Sequence, residues 1–236
     1  AIKEGKIFSK VNVIASSEDK NFTYVPPQSS WKLDENAAYV HICTNETIGG
    51  VEFHWTPDIG KVPLVADMSS HFVSRTVDIS KYALIYAGAQ KNLGPSGLTV
   101  IIVREDLIGT TIPNTATMFD YKQHAEADSM INTPPCFAIY VSGLVLQWIK
   151  RLGGLTAMEK RNIEKANLLY NFLDAQSFYR SPVNKADRSR MNVPFTMPDE
   201  KLDEAFLKGA KEHNLVQLKG HRSVGGMRAS IYNAMP

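Results

Sequence analysis

Short apolar runs separated by polar loops dominate the first hundred residues. Five of these runs predict β-strands, and they lie at residues 11–16, 39–43, 63–67, 82–88 and 97–104. The central runs are almost continuously apolar, which is typical of strands covered on both faces. The polar, proline-containing stretch 16–36 predicts a loop or a hairpin.

Helical periodicity replaces this pattern near residue 134. Residues 134–154 begin with a proline pair and end with a glycine pair, which are start and stop signals of a helix. Residues 155–176 are amphipathic, with apolar positions near 3.6-residue spacing, and predict a second, longer helix.

The last part of the chain alternates between the two patterns. It predicts a strand at 190–197, a helix at 199–214 and strands at 215–218 and 226–232. This succession is typical of a small α+β unit. We place the boundary within the long helix near residue 158, so that a larger domain spans 1–158 and a smaller one spans 159–236.

Composition and charge narrow the class of function. With 44% hydrophobic and 21% charged residues, the 236-residue chain can bury a sizeable core. Its net charge of +2 argues against a dedicated nucleic-acid binder or a membrane-surface protein. Two cysteines give no disulfide framework and, with no leader or long apolar span visible, favour a cytoplasmic protein. The histidines lack companions at metal-ligand spacing, so we predict no metal site.

Lys91 lies between two apolar runs, where an unpaired charge is uncommon. Neither a phosphate-binding P-loop nor a nucleophile elbow fits the residues around it. Asp67 ends the predicted strand 63–67, and Lys91 follows the predicted strand 82–88. In a parallel sheet both residues emerge at the edge where ligands bind in α/β folds.

An acid and a lysine at that edge suit pyridoxal 5'-phosphate. The lysine amine bonds to the aldehyde of the cofactor, and the carboxylate pairs with its protonated pyridine nitrogen. From the spacing alone, a purely structural ion pair between Asp67 and Lys91 is the alternative.

Five motifs carry a resemblance to one family of enzymes. They are "HICTNETIGGVEF", "VADMSSHFVSR", "YAGAQKNLGPSGLTVIIVREDLIG", "MINTPPCFAIY" and "GHRSVGGMRASIYNAMP". On these motifs the sequence resembles the phosphoserine aminotransferases over nearly its whole length. The resemblance implies an α/β fold of the aspartate-aminotransferase type (fold type I), with a large, mostly parallel sheet domain and a small C-terminal α+β domain. We also expect both domains to be partial, because the family's N-terminal segment and final helix have no match here.

The resemblance implies roles for single residues around the cofactor. Lys91 matches the lysine that bonds to pyridoxal phosphate and later moves the substrate's α-proton, and Asp67 matches the acid on the pyridine nitrogen. Thr47 matches a threonine near the 3-oxygen of the ring, and Gln90 matches a residue that contacts the cofactor phosphate.

Asn132 and Thr133 match a pair that reaches the phosphate of the neighbouring subunit's cofactor. The resemblance therefore implies a homodimer with shared active sites. Taken without the resemblance, the same two residues predict only a cap at the start of the following helix.

A cluster before the last predicted strand matches the substrate site of the family. Arg228 matches the arginine that binds the substrate α-carboxylate, for which a guanidinium has suitable bidentate geometry. His221 and Arg222 match residues that recognise the phosphate of phosphoserine. By composition alone, the segment that contains them is an ordinary basic turn.

The implied activity is reversible transamination between O-phospho-L-serine and 2-oxoglutarate, giving 3-phosphohydroxypyruvate and L-glutamate in L-serine biosynthesis. One alternative is another aminotransferase of the same fold, such as an alanine–glyoxylate aminotransferase, against which the "GHR" segment argues. The other alternative is a truncated, non-catalytic subunit that dimerises.

Overall fold

A computed structural model describes residues 1–236. The first half is built on a four-stranded sheet of β1 (Val40–Cys43), β2 (Leu64–Asp67), β3 (Leu84–Gly88) and β4 (Thr99–Val103), in that spatial order. The first three strands are parallel, and β4 runs antiparallel to β3. Four of the five strands predicted in this half are thereby confirmed.

The predicted strand at 11–16 is wrong. This segment pairs with no strand, and the carbonyl of Ile14 instead accepts a hydrogen bond of 2.9 Å from the Lys32 N–H. An apolar run becomes a strand only where a neighbour takes up its backbone groups, and here its neighbour is an irregular loop. That loop, at 16–36, contains two short 3₁₀ turns, which agrees with the prediction.

Helices and a second sheet follow. The helices of the chain are α1 (Ile2–Phe8), α2 (Tyr121–Glu126), α3 (Cys136–Arg151), α4 (Gly154–Asp174) and α5 (Asp203–Glu212). None of them combines the length and the apolar character needed to cross a membrane. The second sheet is a two-stranded antiparallel pair of β5 (Asn192–Phe195) and β6 (Met227–Ser230).

The predicted strand at 215–218 is also wrong. Gln217 adopts a left-handed backbone conformation (φ 63°), which interrupts an extended run, and Leu215 and Val216 are exposed. Extended pairing resumes at Lys219, which forms an isolated bridge to Met227.

The two faces of the larger sheet differ in burial. Because side chains alternate along a strand, one face carries the buried core and the other carries half-buried residues. The buried face contributes to a core made of Val40, Ile42, Ile59, Leu64, Ala66, Met68, Tyr82 and Ile85. The register aligns Cys43, Asp67 and Tyr86 across three strands on the half-buried face.

The smaller sheet has a core of its own. Helix α4 and the two strands enclose Ala166, Tyr170, Leu173, Val193, Phe195, Met227 and Ile231. The division of the chain near residue 158 stays a prediction.

Gly50 brings the loop after β1 against strand β5. Its backbone is left-handed (φ 69°), and a Cβ at this position would lie 2.7 Å from the carbonyl oxygen of Asn192. The loop that carries Thr47 therefore packs directly on the smaller sheet.

Candidate functional site

Asp67 stands at the carboxyl end of β2 and is half-buried. Its Oδ1 accepts a hydrogen bond of 2.9 Å from the backbone N–H of Ser69. No cation is paired with this carboxylate, because none of the ion pairs in the structure involves Asp67. The carboxylate therefore has no cation to neutralise it and can accept a hydrogen bond from a ligand.

Lys91 lies in the turn that follows the neighbouring strand β3. It forms no ion pair, and its Nζ lies 5.6 Å from the centre of the Tyr232 ring. Since β2 and β3 are parallel, the chain leaves both strands at the same edge of the sheet, as the sequence predicted. The structural ion pair between Asp67 and Lys91 is not formed.

Gln90 covers the end of β3. A Cβ on Gly88 would lie 2.5 Å from the Oε1 of Gln90, so the amide side chain folds back over the glycine. The Gly88 N–H donates to the Ser69 hydroxyl at 3.1 Å, which ties the turn after β2 to the end of β3.

Tyr86 is the neighbour of Asp67 on β3 and His41 lies close by on β1, and the sequence did not identify either as a site residue. The Nε2 of His41 and the hydroxyl of Tyr86 lie 2.9 Å apart, and the two rings stack. Burial lowers the pKa of His41, although the Asp67 carboxylate opposes this. Burial and the same carboxylate raise the pKa of Tyr86. Both side chains are therefore neutral at pH 7.

His71 is a third residue that sequence reasoning missed. It is only 1% exposed, and its Nε2 contacts the hydroxyl of Thr44, which also donates to the Asp67 carbonyl at 3.0 Å. Burial and the charge of Arg75 lower the pKa of His71 to about 3. The neutral imidazole of His71 thus supports the backbone of Asp67 through the hydroxyl of Thr44.

We predict that His71 makes the fold sensitive to acid. The native state keeps His71 neutral down to about pH 3, whereas the unfolded chain protonates it below its ordinary pKa of 6.5. The unfolded state therefore binds more protons between these values, and stability falls as the pH falls, by about 1.4 kcal/mol per pH unit from this residue. Urea unfolding between pH 6.5 and 4 should show a flatter decline for His71→Gln than for the unaltered protein. The exposed His213 provides the control, and equal slopes for His71→Gln, His213→Gln and the unaltered protein would contradict the prediction.

Arg228 and Thr47 meet although 181 positions separate them. The Nη1 of Arg228 donates to the Thr47 carbonyl at 3.3 Å. The Nε of Arg228 is buried and has no hydrogen-bond partner. Because a buried donor without a partner is costly, this guanidinium is suited to an anionic ligand.

His221 and Arg222 lie in the loop before β6, which is the strand that carries Arg228. The Nδ1 of His221 is 2.7 Å from the hydroxyl of Ser223, and Arg222 is exposed. The loop is closed by a bond of 2.8 Å from the Gly220 N–H to the Gly226 carbonyl. A Cβ on Gly220 would lie 2.1 Å from the Gly225 carbonyl oxygen, so a side chain there would disrupt the loop.

Asn132 and Thr133 are exposed in the stretch before α3. The residue that precedes this helix is Pro135, and no side chain caps it, so neither residue serves as the cap. Within this chain, no hydrogen bond joins them to the other predicted site residues.

The predicted relationship to known enzymes is confirmed by comparison. The family model of the class-V aminotransferases matches residues 4–236. The chain belongs to the class-V aminotransferases. Among curated members, the phosphoserine aminotransferase of Herminiimonas arsenicoxydans is 62% identical over 236 residues, which is all of this chain and 65% of that protein. This class-V aminotransferase chain therefore spans slightly less than two thirds of that relative.

Solved structures agree on the fold. The phosphoserine aminotransferase of Bacillus circulans subsp. alkalophilus superposes with a TM-score of 0.97 at 47% identity, over 100% of this chain and 65% of that one. A phosphoserine aminotransferase from Trichomonas vaginalis, solved with pyridoxal phosphate bound, gives a TM-score of 0.93 at 40% identity, over 100% of this chain and 67% of that one. The predicted α/β fold of the pyridoxal-phosphate-dependent aminotransferases (fold type I) is confirmed for this class-V aminotransferase.

Proposed function

We propose that this chain carries the active site of a pyridoxal-phosphate-dependent phosphoserine aminotransferase. The reaction is reversible transamination between O-phospho-L-serine and 2-oxoglutarate, giving 3-phosphohydroxypyruvate and L-glutamate for L-serine biosynthesis. The observation that carries the proposal is an amine without an acidic partner, Lys91, at the same sheet edge as a carboxylate without a cationic partner, Asp67. The identity of 62% to a curated phosphoserine aminotransferase supports it.

The residues present fit pyridoxal phosphate. Asp67 accepts from the Ser69 N–H and is paired with no cation, so its carboxylate would be able to accept the pyridinium N–H. Thr47 would contact the 3-oxygen side of the ring, and the exposed amide of Gln90 would contact the phosphate. When bound, pyridoxal phosphate supplies an electron sink for the carbanion formed at the substrate α-carbon.

Two residues of this chain, Asp67 and Lys91, would act on the bound cofactor and the substrate. The Asp67 carboxylate, close to the neutral side chains of His41 and Tyr86, would hold the proton on the ring nitrogen of the bound cofactor. Lys91 would attach the cofactor through its Nζ, and the same atom would carry the α-proton of the substrate as a general base and acid.

Substrate recognition is assigned to the loop and strand at 220–228. The unpartnered Nε of Arg228 supports binding of the α-carboxylate, because it offers a buried, charged donor to an anion. His221 and Arg222 supply donors to the phosphate of the substrate from the loop that leads into the same strand.

The proposal includes a homodimer in which each subunit lends Asn132 and Thr133 to the cofactor phosphate of the other. Both residues are exposed and offer neutral donors to an anion. Directly after them, α3 exposes Phe137 by 75% and Tyr140 by 66%. Large exposed apolar side chains next to the donor pair are typical of an interface.

A single-turnover experiment tests the proposed function. The protein loaded with pyridoxal phosphate is mixed with phosphoserine or with L-alanine, and the change of cofactor absorption is followed. Phosphoserine should convert the cofactor to its amino form and release 3-phosphohydroxypyruvate at least about 100-fold faster than alanine reacts. Equal rates would favour an aminotransferase of the alanine–glyoxylate type, and no reaction would favour a non-catalytic subunit.

We predict that Arg228→Lys raises the KM for phosphoserine by about 10- to 100-fold, because an ammonium cannot replace bidentate guanidinium bonds to a carboxylate. Steady-state kinetics with varied phosphoserine measures the effect. The exposed Arg180 offers a matched control, and Arg180→Lys should leave KM unchanged. Equal KM values for the two variants would contradict the role given to Arg228.

A further inference from the structure

The ring of Tyr232 lies beside the amine of Lys91. The distance from Nζ to the ring centre is 5.6 Å, within the range of a cation–π contact. Lys91 forms no ion pair, so its amine contacts this ring instead of a carboxylate. Tyr232 comes just after β6 and has no place in the roles described above.

A buried side chain of the smaller sheet binds the hydroxyl of Tyr232. Its hydroxyl accepts a hydrogen bond of 3.0 Å from the Nδ2 of Asn192 in β5, a residue with no exposed surface. The Oδ1 of Asn192 in turn accepts a bond of 3.0 Å from Asn45, which is in the loop after β1. Two buried asparagines, Asn192 and Asn45, therefore hold the phenol of Tyr232 in its orientation.

A second hydrogen bond joins Asn92, which follows Lys91 in the chain, to Asn233, which follows Tyr232. The Oδ1 of Asn92 accepts a bond of 3.0 Å from the backbone N–H of Asn233, and these two residues are 7% and 1% exposed. The side chain of Asn233 donates to the Val73 carbonyl at 3.0 Å and accepts from Asn162 at 2.8 Å. Val73 has a left-handed backbone (φ 55°), which is rare for a β-branched residue and requires such support.

We propose that Tyr232 is a positioning residue for Lys91, an inference that rests on the proposed function. A lysine side chain has four rotatable bonds and can place its amine in many positions. The reaction of the amine with the cofactor aldehyde is slower when few of these positions allow the two groups to meet. The Tyr232 ring removes many of these positions.

The test is the rate at which the cofactor-free protein captures pyridoxal phosphate covalently. Rates are followed by absorption as the pH is raised, and the comparison uses the plateau that the rate constant of each variant reaches at high pH. Tyr232→Leu should lower the plateau rate constant by about 2- to 10-fold, the cost expected for leaving one long side chain unrestrained. Tyr232→Phe keeps the ring and should stay within about twofold of the unaltered protein.

Tyr170 provides a matched control. It also has a cation over its ring, Arg188 at 4.5 Å, and a bonded hydroxyl, at 2.9 Å from the Ser189 carbonyl. Tyr170→Leu should lower the thermal midpoint without changing the plateau rate. If Tyr232→Leu does not fold, Tyr232→Met offers a side chain of similar volume that is more flexible and has no ring, and it gives the same comparison.

Two outcomes overturn the inference in distinguishable ways. A plateau rate in Tyr232→Leu or Tyr232→Met equal to that of the unaltered protein would overturn the inference alone. Failure of the unaltered protein to capture pyridoxal phosphate at Lys91 would overturn the proposed function, and the inference with it.

Discussion

Turnover of phosphoserine should fall by about 10²- to 10⁴-fold, or below detection, when Lys91 is replaced by alanine. In the proposed function this amine attaches the cofactor and carries the α-proton, so its removal takes away both roles. The variant should still bind pyridoxal phosphate without bonding to it, because Asp67 and Gln90 are unchanged. Steady-state assay and the absorption spectrum of the bound cofactor measure the two effects.

Lys81→Ala is the matched control for this experiment. Lys81 is exposed in the 3₁₀ turn that precedes β3, so its loss changes the charge equally without touching the site. Its turnover should equal that of the unaltered protein. A Lys91→Ala protein with normal turnover would rule out the chemistry proposed for this chain.

The largest effect on stability is expected for Glu52→Gln. The Glu52 side chain is 1% exposed, its Oε1 lies 3.2 Å from the Nε of Arg75, and its Oε2 accepts from the Arg190 N–H at 2.9 Å. Arg75 also donates to the Phe53 carbonyl at 2.7 Å. Removing the negative charge leaves the largely buried guanidinium uncompensated, which costs about 3–5 kcal/mol. Urea denaturation at neutral pH measures the loss.

Glu126→Gln makes the same chemical change at an exposed pair. Glu126 and Lys122 lie 3.7 Å apart with side chains more than half exposed, so the substitution should cost less than about 1 kcal/mol. Costs of similar size in the two variants would contradict the importance given to the buried Glu52. Because Glu52 joins the loop after β1 to the segment before β5, its loss should also loosen the contact on which Tyr232 depends.

Most of the larger sheet could be predicted from the sequence, since its strands are apolar runs that end at turns. These strands are stabilised by the burial of their side chains, and a run of apolar residues in the sequence indicates such burial. The run at 11–16 has the same composition but no neighbouring strand, and pairing depends on residues far away in the chain. The run at 215–218 fails for a local reason, because Gln217 leaves the extended conformation.

The site divides in the same way. Asp67 and Lys91 could be found because each follows a predicted strand, and parallel strands place such residues at one edge. His41 and Tyr86 could have been found from the alternation of side chains, once the register was known. Tyr232 could not, because the bond between Asn92 and Asn233 that supports its position spans 141 residues. Contacts between residues so far apart in the chain depend on how the two sheets pack together, and a short sequence pattern does not predict that packing.

The most direct measurement is the location of the covalent bond to the cofactor. The protein is incubated with pyridoxal phosphate, reduced with borohydride, digested and mapped by mass spectrometry. The account predicts one stoichiometric pyridoxyl label, on the peptide that contains Lys91. A label on a different lysine, or no label at all, would contradict it.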